Sequence, residues 1–140
     1  MKKAIIALFI LVMGVSILFA AGPQTTPKPK NVKDIKVGVS FGHLQEERWQ
    51  REMEMFKEYT AKNGFTLLIQ SAENNVQKQI SQCENLINQG IDVLILQTLD
   101  ASAVTPIIDS AHEAGIKVIA YDRFGMNCDL DYYITFDSFK

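Results

Sequence analysis

Two pairs of adjacent residues, each following an apolar segment, have the side chains in this sequence that are best suited to binding a polar ligand. The first pair is Arg48 with Trp49, and the second is Asp122 with Arg123. A carboxylate can accept hydrogen bonds from two hydroxyls, and a guanidinium can donate to two oxygens in one plane. An aromatic ring adds an apolar face. Because a sugar presents both hydroxyls and an apolar ring face, this combination favours a sugar site.

Each pair also has a purely structural interpretation, and the residues alone leave both interpretations open. Trp49 lies at helical spacing with later apolar residues, so it could belong to the core side of a helix. Asp122 and Arg123 could form only an ion pair at the end of a buried strand, where unpaired charges are costly. His43, which lies in the loop before the first pair, is interpreted as a loop residue and not as a ligand-binding residue.

The segments around these pairs alternate between strand-like and helical patterns. The predicted strands are 35–39, 65–69, 93–96, 118–120 and 133–136. The predicted helices run from about 46 to 63, from 74 or 75 to Gly90, and from 100 or 102 to Gly115. Apolar strands that alternate with amphipathic helices indicate a parallel sheet covered on both faces. Since the crossovers are right-handed, the predicted fold is α/β, a doubly wound parallel sheet in three α/β/α layers.

This fold class predicts where a ligand would bind. In open α/β sheets the ligand lies outside the carboxyl ends of the strands. The residues Arg48 and Trp49 follow the first predicted strand, and Asp122 and Arg123 follow the fourth. Both pairs therefore fall at the edge of the sheet where a site is expected.

The N-terminal region has the composition of an export signal. Two lysines precede an unbroken run of small and apolar residues over positions 4–21. Residues 1–21 are therefore predicted to be a signal peptide or an uncleaved signal anchor, because the residues near the end of the run are poor for cleavage. Residues 22–33, rich in Pro, Thr and Lys, are predicted to be a tether. The protein is expected in the periplasm or on the outer face of the cytoplasmic membrane, with a membrane contact if the run is uncleaved.

Composition and motif content argue against several classes of function. The 140 residues carry a net charge of −2, which argues against nucleic-acid binding. The sequence has no glycine-rich nucleotide loop, no His and Cys cluster with metal-ligand spacing, and no serine with an evident base. We therefore predict that the protein is not an enzyme, and that it has no cofactor and no metal site.

Four segments of the sequence resemble the sugar-binding family of type I periplasmic binding proteins, and most closely its D-xylose-binding members. They are Glu-Arg-Trp-Gln at 47–50, Gln-Ser-Ala at 70–72, the stretch 79–87, and Ala-Tyr-Asp-Arg at 120–123. The similarity extends over about 35–137. This resemblance implies that Arg48, Asp122 and Arg123 form hydrogen bonds to the sugar, and that Trp49 stacks on it.

The resemblance also implies a function and partners. It implies binding of a monosaccharide, D-xylose or a similar pentose, as the solute receptor of an ABC sugar importer, with the transporter permease as partner. The alternative is a membrane-anchored sugar sensor that signals to a histidine kinase. Family members have two similar lobes joined by a hinge. Residues 34–140 are therefore expected to form the N-terminal lobe, incomplete and without the second lobe.

Overall fold

The computed structural model describes residues 30–123 and 125–136, in which five strands alternate with three α-helices. The predicted signal segment 1–21 and most of the predicted tether 22–33 lie outside these residues. The strands are Lys36–Phe41 (β1), Thr66–Ser71 (β2), Val93–Leu96 (β3), Lys117–Tyr121 (β4) and Tyr132–Ile134 (β5). The helices are Glu47–Asn63 (α1), Val76–Asn88 (α2) and Thr105–Glu113 (α3).

The strands form one parallel sheet in the order β2-β1-β3-β4-β5. In the middle of β1, Val39 pairs with Ile69 of β2 on one side and with Ile95 of β3 on the other. The chain therefore reverses its direction of winding between β1 and β3, which is the point where doubly wound sheets bind ligands. The predicted parallel, doubly wound α/β sheet is confirmed.

Two core clusters pack against the two faces of this sheet. On one face Leu94 and Leu96 of β3 pack with Leu86 of α2 and Ile108 of α3. On the other face Val39 and Phe41 of β1 pack with Trp49 of α1, together with the partly buried Ile95. Successive residues of β3 thus enter opposite clusters, because side chains alternate along a strand. Helix α1 covers one face, and α2 with α3 covers the other.

The third helix begins later than its sequence indicates. Asp100 and Ser102 were the predicted starts, but the carboxylate of Asp100 accepts hydrogen bonds from the backbone N–H and the hydroxyl of Ser102, at 2.8 and 2.6 Å. These bonds close a local turn, as Asp commonly does before a helix. Helix α3 then starts at Thr105, with Pro106 in its first turn. Proline is tolerated there because backbone N–H groups of the first turn have no acceptor within the helix.

Strand β5 is shorter than predicted and lies at one side of the sheet. It spans three residues and pairs with β4 through Ile119↔Tyr132, Ala120↔Tyr133 and Tyr121↔Ile134. All three of its residues are exposed.

Among the described residues, no helix has both the length and the apolar character needed to cross a membrane.

Candidate functional site

Arg48 connects the loop after β1 with the end of β4. It lies in the first turn of α1, and its Nη2 donates a hydrogen bond to Asp122 Oδ1 at 2.8 Å. Its Nε donates to Glu52 Oε1, one helical turn further on, also at 2.8 Å. The fold therefore brings one residue of each predicted pair into direct contact at the carboxyl edge of the sheet.

The backbone of Asp122 has an unusual conformation that the neighbouring strand supports. Its φ angle is +66°, in the left-handed region that Asp and Asn enter more readily than most residues. The Asp122 N–H donates to the carbonyl of Ile134 at 2.8 Å. Its own carbonyl accepts hydrogen bonds from the hydroxyls of Tyr133 and Thr135, at 3.2 and 3.4 Å. Strand β5 and the residue after it thus hold Asp122 in the geometry that reaches Arg48.

Glu52 and Tyr121 complete this polar group, and the sequence-based prediction did not include either of them. The Tyr121 hydroxyl donates to Glu52 Oε2 at 2.8 Å. Burial of the phenol, together with the hydrogen bond to Glu52, raises the pKa of Tyr121 to about 12. The hydrogen bond to Glu52 also raises the pKa of Arg48, so the guanidinium stays charged. Helical spacing of four residues between Arg48 and Glu52 was the signal in the sequence that could have linked them.

Trp49 is buried, in agreement with the structural alternative for this residue. Its side chain is 3% exposed, and its ring packs against Phe41 at a centroid distance of 6.3 Å. The Arg48 guanidinium lies over the same ring, with Cζ 4.4 Å from its centroid. Trp49 therefore supports Arg48 from the core side, and in this geometry its ring has no free face for a ligand.

An exposed aromatic ring, that of Phe136, also lies against Arg48. The Arg48 Cζ is 4.7 Å from the centroid of the Phe136 ring, and Phe136 is 60% exposed. Cation–π contact with two rings restricts the guanidinium in addition to its ion pairs. Phe136 was predicted only as the last residue of a strand, because nothing in the local sequence pattern indicates a contact with residue 48.

Within the described residues, Arg123 and Asp122 do not form the structural ion pair that was considered as an alternative. The Arg123 side chain is exposed, and within residues 30–123 and 125–136 it has no hydrogen bond or ion pair. It lines a small cleft together with Thr98 and Val104. Asp122 pairs with Arg48 instead.

The polar group borders an open cleft of about 170 Å³. The lining residues are Arg48, Glu52, Tyr121, Asp122, Ile134, Thr135 and Phe136. Among the described residues, the Nη1 group of Arg48 and Oδ2 of Asp122 have no hydrogen-bond partner, and neither atom is among the fully buried ones. A donor and an acceptor are thus available side by side. No group of three or more His, Cys, Asp or Glu residues in the described part of the chain could hold a metal ion.

A buried polar network holds the loops beneath this edge of the sheet. Gln97 follows β3, and its Oε1 accepts a hydrogen bond from the Gly42 N–H at 2.6 Å. Gln79 of α2 donates to the Gln97 carbonyl at 2.9 Å and accepts from the Leu99 N–H at 3.0 Å. The loops after β1 and β3 are therefore joined at the point where the winding reverses.

Comparison with known proteins gives one family and a consistent set of relatives. Residues 37–140 match the periplasmic binding protein domain. The chain is 37% identical over 110 residues to the D-xylose-binding periplasmic protein of Escherichia coli (strain K12), which covers 79% of this chain and 33% of that protein. It is 42% identical over 108 residues to the D-xylose-binding periplasmic protein of Haemophilus influenzae, which covers 77% of this chain and 32% of that protein. The chain thus spans about a third of the length of these relatives.

Solved structures with the same fold include several proteins that bind sugars or polyols. An ABC transporter solute-binding protein from Clostridium phytofermentans, with bound β-D-glucose, has a TM-score of 0.70 and 35% identity over 73% of this chain and 32% of its own. A myo-inositol-binding protein from Caulobacter has a TM-score of 0.69 and 26% identity over 78% of this chain and 37% of its own. The fructose-binding periplasmic domain of the hybrid two-component system BT1754 has a TM-score of 0.64 and 29% identity over 71% of this chain and 33% of its own.

Proposed function

The chain belongs to the periplasmic binding protein domain family. On this basis we propose that it binds a monosaccharide, and specifically D-xylose, as the solute receptor of an ABC sugar importer. Members of this family bind solutes and do not convert them, which agrees with the prediction that the chain is not an enzyme. Both D-xylose-binding relatives are periplasmic proteins. The choice of D-xylose rests on the two D-xylose-binding relatives, since structural neighbours bind other sugars and polyols.

The observation that carries the proposal is the contact between Arg48 and Asp122 at the border of an open cleft. Arg48 and Asp122 form one hydrogen bond with each other, and Nη1 of Arg48 and Oδ2 of Asp122 are available to a ligand. A guanidinium N–H and a carboxylate oxygen placed side by side can bind neighbouring hydroxyls of a sugar through charge-assisted hydrogen bonds. We assign Arg48 and Asp122 to these contacts. Arg123 does not line this cleft, and its assignment to a further hydroxyl rests on the resemblance to the D-xylose-binding members alone. Trp49 is assigned a supporting role, since it packs beneath Arg48.

Sugar titration followed by NMR tests this function on the 140-residue chain. We expect saturable shifts of the amide signals of Arg48, Asp122 and Arg123 with D-xylose, and smaller shifts with an equal concentration of D-mannitol as an acyclic control. Affinity is expected to be weak, because a single lobe buries only part of the ligand surface but still restricts its motion. Shifts that are absent at high D-xylose concentration would contradict the proposal.

The second candidate function is sugar sensing through a histidine kinase. It is supported by the structural similarity to the periplasmic domain of a hybrid two-component system. In this role the predicted apolar run at 4–21 would serve as an uncleaved anchor. The genes beside this one distinguish the two candidates, because an importer requires a permease and an ATPase, and a sensor requires a histidine kinase.

A further inference from the structure

We propose that Glu52 and Tyr121 form a positioning pair that fixes the orientation of the Arg48 guanidinium toward a ligand. The pair is a chain of two hydrogen bonds, each 2.8 Å long: Tyr121 Oη to Glu52 Oε2, and Arg48 Nε to Glu52 Oε1. This inference rests on the proposed sugar-binding function and extends it to two residues that need not touch the ligand.

The need for such a pair follows from the flexibility of arginine. A free arginine side chain has many rotamers, and the entropy lost on ordering them would weaken any binding that first had to fix the side chain. The rings of Trp49 and Phe136 restrict the guanidinium without fixing the direction of its N–H groups, and one hydrogen bond, from Nη2 to Asp122, still leaves it able to rotate about that contact. A second bond, from Nε to Glu52, fixes that direction. The Arg48 N–H groups that remain available are thus ordered before a ligand arrives.

Glu52 can act in this way because it is itself held. Its side chain is 17% exposed, and both of its oxygens accept hydrogen bonds. Glu52 lies on α1 and Tyr121 lies at the end of β4, so the two elements that carry the site are also joined through these side chains. Oδ2 of Asp122 stays available to a ligand, since Glu52 supplies the second acceptor for the guanidinium.

An exposed glutamate on the same helix provides a matched control. Glu54 pairs with Lys57 at 2.8 Å, and the side chains of this pair are 59% and 49% exposed. Glu54→Gln removes the same charge from α1 as Glu52→Gln, but it does not affect any contact of Arg48. Glu52→Ala removes both hydrogen bonds, whereas Glu52→Gln keeps an oxygen that can accept from Arg48 Nε.

The experiment records the Arg48 Nε–H signal by ¹⁵N NMR, assigned with Arg48→Lys, in the 140-residue chain without sugar and during D-xylose titration. We expect slow exchange of this proton with water in the wild type and in Glu54→Gln, and at least roughly tenfold faster exchange in Glu52→Ala. Tyr121→Phe should give an intermediate rate. We also expect a loss of D-xylose affinity of roughly tenfold in Glu52→Ala, with partial recovery in Glu52→Gln, as expected for a hydrogen bond to a charged group.

The two readouts separate this inference from the function on which it rests. If the wild type binds no monosaccharide but Glu52→Ala still releases the Arg48 proton, the positioning contact is supported and the proposed function fails. If the Arg48 proton exchanges at the wild-type rate in Glu52→Ala, the inference is overturned, whether or not sugar binds. If the wild type does bind D-xylose, the inference is also overturned when Glu52→Ala lowers affinity no more than Glu54→Gln does.

Discussion

Arg48 and Asp122 lie 74 residues apart in the chain and are joined by a hydrogen bond of 2.8 Å between Nη2 and Oδ1. The contact exists because β1 and β4 lie in one parallel sheet, with β3 between them, so their carboxyl ends meet at one edge. It links the first turn of α1 to a residue with a left-handed backbone. The geometry of the candidate site therefore depends both on the order of the strands and on one strained residue.

Substitution of Asp122 should separate its chemical role from its backbone role. Asp122→Asn keeps a residue type that tolerates φ near +66° but removes the charge. We expect at least a roughly tenfold loss of D-xylose affinity with little loss of stability. Asp122→Ala should lose the same affinity and also about 1–3 kcal/mol of unfolding free energy, because alanine tolerates the left-handed backbone less well and cannot accept the hydrogen bond from Arg48. Calorimetric titration and urea unfolding measure the two effects. Unchanged affinity in Asp122→Asn would remove Asp122 from the site.

The titration of Tyr121 should report on its contact with Glu52. Burial of the ring is the larger cause of the raised pKa of about 12, and the hydrogen bond to Glu52 adds to it. Glu52→Gln removes the negative charge that opposes tyrosinate formation. The pKa of Tyr121 should therefore fall in this variant but stay above its ordinary value of about 10. NMR of ¹³C-labelled tyrosine measures this pKa, and Glu54→Gln should leave it unchanged. A value that does not move in Glu52→Gln would contradict the contact.

Stability should depend on pH through Asp131, which lies near the start of β4, away from the carboxyl ends of the strands that form the candidate site. Partial burial opposes ionisation of this carboxyl, but hydrogen bonds from Lys117 Nζ, the Val118 N–H and His112 outweigh that effect and hold its pKa far below the ordinary value. A lowered pKa in the folded state stabilises the protein above the unfolded-state value of about 3.9, and this contribution is lost as the pH falls below it.

We therefore expect Asp131→Asn to be less stable than the wild type at pH 7, by roughly 1–3 kcal/mol. The difference should shrink between about pH 4 and pH 2. Urea unfolding at several pH values measures it. Asp129→Asn, at an exposed neighbouring position, serves as the control and should show a small difference at every pH. A difference for Asp131→Asn that does not change with pH would show that its charge is not responsible.

The close approach of the loops after β1 and β3 should make Gly42 intolerant of a side chain. A Cβ at position 42 would lie 2.6 Å from Leu99 Cδ2 and 2.9 Å from Gln97 Oε1. Gly42→Ala should therefore lower the unfolding free energy by about 1–3 kcal/mol, the usual cost of overpacking. In the Leu99→Ala background the same substitution should cost less, because the nearest atoms are gone. Equal costs in the two backgrounds would show that contact with Leu99 is not the reason.

Strand β5 should promote self-association of the 140-residue chain. It pairs with β4 on one side, and its Tyr132 is 64% exposed. Exposed apolar strands at a sheet edge associate readily, and a lysine at such an edge prevents it. We expect light scattering to show a mass that rises with concentration, and Tyr132→Lys to reduce this rise. Val32→Lys, at a position 47% exposed before β1, is the control and should not change it. Equal association in both variants would place the contact elsewhere.

The alternation of strands and helices was predictable because its signals are local. Periodic apolar residues indicated the positions of α1 and α2, and glycines such as Gly64, with φ of +84°, marked helix ends. Errors occurred where local turn chemistry competes with a helix start, as at Asp100, and where an exposed strand has little apolar pattern, as at β5. The parallel sheet then followed from the alternation, since crossovers have one handedness.

The sequence by itself therefore determined the fold class and the end of the strands at which the polar residues lie. It also identified Arg48 and Asp122 as candidate ligand-binding residues. Only the tertiary structure decided that Asp122 pairs with Arg48 and not with Arg123, that Trp49 is buried, and that Glu52, Tyr121 and Phe136 complete the group. The physical reason is that such contacts depend on strand order and on a left-handed backbone at one residue. Neither leaves a periodic signal in the local sequence, whereas burial of a helix or strand face does.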